Sequence, residues 1–196
     1  MKERLGIDIL ISAVQVHGDK VLSIKETPRQ DREIAGYDAI VTDRPIGIMI
    51  QQADCQAVPL FDRTRKVIGL AHSGWRGSVA DIIGKTVKVM HTEFGSDPRN
   101  IIAAISPALG PCCAEFVNYR QELPAWMHEY ESRENHFDFR RISRFQLLQA
   151  GIPAENIEIS SICTRCNQDY FSYRREKVTG RFATVIALNK SYTHRA

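Results

Sequence analysis

Residues 67–95 read VIGLAHSGWRGSVADIIGKTVKVMHTEFG. The run Val67–Ala71 has the continuous apolar character of a buried strand, and it ends on His72. From Ser78 to Phe94 the apolar residues Val79, Ile82, Ile83, Val87, Met90 and Phe94 recur at helical spacing, and Gly95 follows where a C-cap glycine belongs. After the helix, Ile101–Ile105 is a second buried-strand pattern. A strand, a helix and another strand in succession predict a layered α/β architecture.

Working upstream, Ile9–Val16 and Val21–Ile24 flank the turn-forming pair Gly18-Asp19, which predicts a β-hairpin with His17 at its tip. Tyr37–Val41, Ile46–Ile50 and Ala57–Phe61 read as three further strands separated by turn-forming or charged stretches. Downstream, Ala114–Val117 is a short strand candidate and Ile142–Gly151 a helix. Ile157–Ser161 and Phe182–Leu188 are late strands, Tyr170–Tyr173 is a further strand candidate, and Asn189–Ala196 reads as a frayed tail. The segment Gln121–Asn135, charged and rich in Glu, fits neither period. No internal repeat or linker interrupts the pattern, so residues 1–196 read as one domain.

Composition narrows the function classes. A chain of 196 residues can bury roughly 70 % of the surface its unfolded form exposes, enough for a core without staples. The 26 basic residues are interleaved with 23 acidic ones, giving a net charge of +3, which does not indicate a nucleic-acid partner. The N-terminus lacks the layout of a secretory signal, and no apolar run approaches the ~20 residues of a membrane helix. A cytoplasmic protein with no membrane partner is expected, its five cysteines reduced.

Cys55 lies in the polar patch Gln51–Gln56 between two apolar runs; alone, such a cysteine is usually a small core residue. His72 opens His72-Ser73-Gly74-Trp75-Arg76-Gly77 between a strand and a helix N-terminus, where backbone N–H groups favour an anion and Arg76 offers a planar fork to phosphate or carboxylate. His17 on its own would be a surface histidine. Together, two histidines and one cysteine at the ends of separate strands make a three-ligand set that leaves a fourth zinc position open, as catalytic sites require. Cys112-Cys113 and Cys163-Thr164-Arg165-Cys166 compete for metal as a structural four-Cys site. Adjacent cysteines point in opposite directions if extended, however, which makes Cys112 and Cys113 a poor chelating pair.

Five ordered motifs then resemble a known family: Gln15-Val16-His17-Gly18, Ala53-Asp54-Cys55, His72–Gly77, Gly110-Pro111-Cys112-Cys113, and Phe171-Ser172-Tyr173-Arg174-Arg175 with Thr179-Gly180-Arg181. Across about Ala13 to Leu188 the chain is similar to the YfiH-like family, also called laccase-domain or polyphenol oxidase proteins. The resemblance implies a layered α/β sandwich with a mixed β-sheet, related to the catalytic domain of cytotoxic necrotising factor. It also implies a zinc-dependent purine nucleoside phosphorylase acting on adenosine, inosine, guanosine and methylthioadenosine, with adenosine deaminase activity, and it places His17, Cys55 and His72 at the metal and catalytic positions. Its partners are then a purine nucleoside and phosphate. Compared with the family pattern, the chain lacks a usual N-terminal segment, so part of the substrate pocket is expected to be missing. It also carries Ser73 and Ser106-Pro107 where Ala and Gly-Pro are common.

On this reading zinc-bound water is the nucleophile for deamination, Asp54 orients a ligand or moves a proton, and Arg76, then Arg174 and Arg175, hold phosphate. The alternatives are a copper-dependent polyphenol oxidase, a metal-free cysteine hydrolase using Cys55 and His72, and a non-enzymatic metal-stabilised binding domain.

Overall fold

The computed structural model describes residues 2–189; residues 190–196 of the expected tail lie outside it. In chain order the regular elements are α1 (Lys2–Leu5), β1 (Leu10–Val14), β2 (Val21–Ile24), β3 (Arg32–Ala35), β4 (Ala39–Thr42), β5 (Gly47–Gln52), β6 (Gln56–Asp62) and β7 (Val67–Ser73). These are followed by α2 (Trp75–Val79), α3 (Ile82–Phe94), β8 (Ile101–Ile105), α4 (Tyr119–Glu122), β9 (Glu131–Arg133), β10 (His136–Phe137), α5 (Phe139–Gln149), β11 (Ile157–Ile159), α6 (Tyr173–Glu176) and β12 (Phe182–Ala187). A 3-10 helix over Ala125–Tyr130 lies within the stretch that fitted neither period.

Two mixed sheets carry the structure, one ordered β12-β5-β1-β3 and the other β11-β8-β6-β7-β4-β2. Alternation along the central strands explains how they stack. Ile40, Ile68 and Leu70 of the larger sheet meet Ile11, Ile48 and Ile50 of the smaller one in a core between the sheets. The intervening positions Val41, Val67 and Ala71 face the other way, toward Ile82, Ile83, Val87 and Met90 of α3. The result is three layers, helix on sheet on sheet. Each fully buried Ile or Met side chain on α3 contributes roughly 1.5–3 kcal/mol relative to exposure. Among the described residues no helix is long and apolar enough to cross a membrane.

Four local expectations are corrected. The first two strands do not form a hairpin. β1 pairs in parallel with β3 and β5, whereas β2 pairs in parallel with β4 in the other sheet. His17 therefore sits where the chain crosses between sheets. The helix expected from Ser78 to Phe94 is broken: Asp81 adopts a left-handed conformation (φ 55°) and its side chain accepts the Gly84 N–H, capping a new start at Ile82. Its other end matches expectation, with Gly95 at φ 69° and its N–H donating to His91 O. Tyr170–Tyr173 is not a strand; Tyr173 opens α6 after Ser172, which accepts the Arg175 N–H. Ala114–Val117 supplies only an isolated bridge, Glu115 to His136.

Candidate metal and active site

The site forms where the chain passes between the two sheets. His17 lies on the β1-to-β2 crossing, and Cys55 on the crossing from β5 to β6, each in a different sheet. Antiparallel pairing of Gln56 with Ser73 and of Ala57 with His72 sets Cys55 beside the end of β7, which carries His72. Both crossings are conformationally unusual, since His17 (φ 57°) and Asp54 (φ 84°) occupy the left-handed region without being glycine. Such geometry persists only where surrounding bonds enforce it.

Asp38 supplies those bonds at His17. Its carboxylate is fully buried and accepts the backbone N–H groups of Val16 (3.2 Å), His17 (2.9 Å) and Gly18 (2.7 Å). It also lies 2.9 Å from His72 Nδ1. Burial alone would raise its carboxyl, but the His72 ring and the N–H groups of Gly18 and Val16 outweigh that and hold it below its ordinary range. One acid thus fixes the path of the His17 turn and orients the His72 ring.

With Nδ1 engaged by Asp38, His72 keeps Nε2 for the site. The donor atoms of His17, Cys55 and His72 all lie within 4.8 Å of one another. Gly74 makes this convergence possible. A Cβ there would stand 3.0 Å from Cys55 Sγ and 3.1 Å from His17 Cδ2. Two imidazoles and a thiol, one imidazole backed by a carboxylate, fit a metal such as zinc. Burial by itself would push the Cys55 thiol up, yet hydrogen bonds and charge from His17 and His72 pull it from 9.0 down to about 6. Burial opposes charge on His72 as well, but Asp38 and Cys55 together push it from 6.5 up to about 9. The thiolate is the favoured form at neutral pH.

These residues line a cavity of about 700 Å³. Leu109, Phe116, Phe139, Trp75 and Tyr173 give it an apolar and aromatic wall. Arg76, Arg174, Lys177 and Arg181 bring positive charge to it. An apolar, aromatic wall beside cations suits a ligand with an aromatic ring at one end and an anion at the other.

The structure distributes the remaining sequence candidates unevenly. Arg76 reaches the cavity, but as a cation stacked 4.1 Å over the Trp75 ring on a five-residue helix and not at the start of the long one. Arg174 reaches it too, its guanidinium donating to Glu115 O. Arg175 does not. Its guanidinium donates to the carbonyls of Thr164, Arg165, Asn167 and Tyr170, and so it folds a loop instead of facing a ligand. Asp54 lines the cavity with both carboxylate oxygens committed, one to Thr164 Oγ1 and one to the Arg174 N–H, each at 2.6 Å. Sequence reasoning missed Asp38 and Lys177, and it named Arg181 only as part of the last motif, with no role in the site. For Asp38 the signal was available: a lone acid heading the apolar run Ala39–Val41 must be satisfied when buried.

The family described as multi-copper polyphenol oxidoreductase laccase matches residues 1–189. The chain is 32 % identical to purine nucleoside phosphorylase YlmD of Geobacillus stearothermophilus, over 91 % of this chain and 72 % of that protein. It is also 32 % identical to adenosine deaminase RL5 of an unknown prokaryotic organism, over 93 % and 77 %. The crystal structure of Bacillus licheniformis YfiH superposes with a TM-score of 0.85 at 29 % identity, covering 96 % of this chain and 78 % of that one. That of YlmD from G. stearothermophilus superposes at 0.81 and 30 %, covering 92 % and 74 %. With a match spanning nearly all its length and the same fold in its relatives, the chain belongs to the multi-copper polyphenol oxidoreductase laccase family, the YfiH-like proteins.

Proposed function

We propose that this chain is a purine nucleoside phosphorylase that also deaminates adenosine, with zinc held by His17, Cys55 and His72 in a single catalytic domain. The observation that carries the reading is the convergence of those three donors, backed by Asp38, in a cavity with an aromatic wall and several cations. Relatives named as a purine nucleoside phosphorylase and an adenosine deaminase support it.

Bound at these residues, zinc would supply a Lewis acid and a water of lowered pKa. The chain's own groups do the rest. Trp75, Phe116 and Tyr173 offer faces on which a purine ring stacks. Arg76 and Arg174, joined by Lys177 and Arg181, present the cationic donors that a phosphate dianion needs beside the ribose. Asp38 holds His72 in one tautomer. Asp54 acts by position: it draws the Thr164 and Arg174 segments against the residue before Cys55.

A copper oxidation of phenols is less well served. Among the described residues only one cluster contains histidine, and His91, His128 and His136 are each bonded to a backbone carbonyl away from it. A metal-free cysteine nucleophile has one specific observation behind it, the Asp38–His72–Cys55 relay with its depressed thiol. Incubating the protein with adenosine and phosphate, with and without chelator, separates these. Adenine with ribose 1-phosphate, inosine from deamination, and loss of both on chelation are the expected result. Turnover that survives full metal removal would favour the cysteine nucleophile, and no nucleoside turnover at all would overturn the proposal.

A further inference from the structure

A second group of potential ligands lies outside the cavity. Sγ atoms of Cys112, Cys113, Cys163 and Cys166 all fall within 4.8 Å of one another. The objection raised by the adjacent pair applies to extended chain, and residues 111–113 are not extended. Both Cys113 and Ala114 donate their N–H to Gly110 O (2.9 and 3.0 Å), closing a helical turn in which neighbouring side chains are no longer opposed. On the facing segment the two-residue gap of Cys163–Cys166 closes a second turn, with Asn167 N–H donating to Cys163 O at 3.0 Å.

Two of the six sulfur–sulfur separations are close to a tetrahedron's edge. Cys166 Sγ stands 3.7 Å from Cys112 Sγ and 3.5 Å from Cys113 Sγ. Four sulfurs about 2.3 Å from a central zinc lie about 3.8 Å apart. A disulfide would single out one partner for Cys166, whereas here two are nearly equivalent. Gly110 is part of the arrangement. Its N–H points at Cys163 Sγ (3.3 Å), and a Cβ at that position would stand 3.0 Å from Cys163 Cβ and 3.3 Å from Cys112 Sγ. Two of the thiols, Cys112 and Cys166, are exposed, which gives an ion a path in.

We propose that Cys112, Cys113, Cys163 and Cys166 form a second metal site, a closed tetrathiolate zinc centre with a structural role. Each thiol gives up its proton to solvent on ligation, and the four sulfurs fill the coordination shell, so no position is left for substrate. What the ion ties together is the cavity wall. The two segments run side by side, with Ala108 N–H donating to Ile162 O and Thr164 N–H to Ala108 O. Leu109 N–H and Thr164 Oγ1 both bond Asp54, next to Cys55. Leu109 and Phe116 flank one clamped turn, and Tyr173 and Arg174 follow the other.

The test is metal content by elemental analysis together with thiol accessibility by alkylation and mass spectrometry. In the triple variant His17→Ala, Cys55→Ala, His72→Ala, one zinc per chain should remain. After cobalt exchange that variant should show thiolate charge-transfer and tetrahedral absorption bands. Further replacement of Cys163 and Cys166 by Ser should remove that ion. Because those last changes threaten folding, the wild-type protein gives an independent reading. Its four thiols should resist alkylation as a set and become reactive in step with release of one zinc equivalent to a strong chelator. A metal-free triple variant that is still folded, four thiols alkylated freely in zinc-replete protein, or a Cys112–Cys166 disulfide in the native protein would each overturn the proposal.

Discussion

A single oxygen, Asp38 Oδ1, accepts both the backbone N–H of His17 and the ring Nδ1–H of His72, each at 2.9 Å. Two metal-ligand candidates, one on the β1-to-β2 crossing and one at the end of β7, are therefore positioned by one buried atom, and a change there should reach both.

Asp38→Asn keeps the shape but removes the charge and one acceptor. Loss of such a carboxylate behind a ligating histidine typically weakens metal binding about 10–100-fold. Competition against a chelator of known affinity measures this, and unchanged affinity would show that Asp38 serves the turn alone.

Alkylation of Cys55 in metal-free protein should report its depressed thiol. The thiolate, which is the reactive form, accumulates above about 6 instead of near 9.0, so the rate should climb as pH rises through about 6 and level off before the ordinary thiol range. Removing a cationic neighbour favours the neutral thiol, so His72→Ala should shift the midpoint upward. A midpoint near 9.0 in the unmodified protein would mean that burial wins over the two histidines. Cys55→Ser should abolish turnover while leaving the thermal midpoint nearly unchanged.

Gly74→Ala places a methyl group 3.0 Å from Cys55 Sγ and 3.1 Å from His17 Cδ2, between two of the three donors. Metal content and turnover should fall together while the fold, followed by circular dichroism, persists. Full metal occupancy in this variant would show that the donors can spread without loss.

Arg76→Ala and Arg175→Ala should part company. If Arg76 contacts phosphate in the transition state, its loss should cost phosphorolysis about 2–4 kcal/mol and deamination much less. Arg175 leaves several loop carbonyls without their donor when truncated, which costs roughly 1–3 kcal/mol of stability and should appear first as a lower melting temperature. Equal loss of both reactions in Arg76→Ala, with lowered stability, would reduce that residue to its stack on Trp75.

Local periodicity made the layered α/β character and most strands legible, because alternation along a strand and the 3.6-residue period of a helix are written into neighbouring residues. β8 falls on Ile101–Ile105 as read, and Val67–Ser73 extends the expected strand through His72. The motif residues His17, Cys55 and His72 were likewise picked from sequence, as donor types at strand ends. Which strands became neighbours was not legible. β1 and β2 follow one another in the chain yet belong to different sheets, since pairing depends on long-range burial that no window of sequence contains. The same holds for Asp38, Arg175 and the four cysteines, whose roles depend on which atoms lie within hydrogen-bonding or ligand distance. The sequence by itself determined most element types and the donor side chains available for a site. Only the tertiary structure decided that the β1-to-β2 crossing and the end of β7 meet over one buried carboxylate, and that two turns about fifty residues apart bring four sulfurs within 4.8 Å of one another.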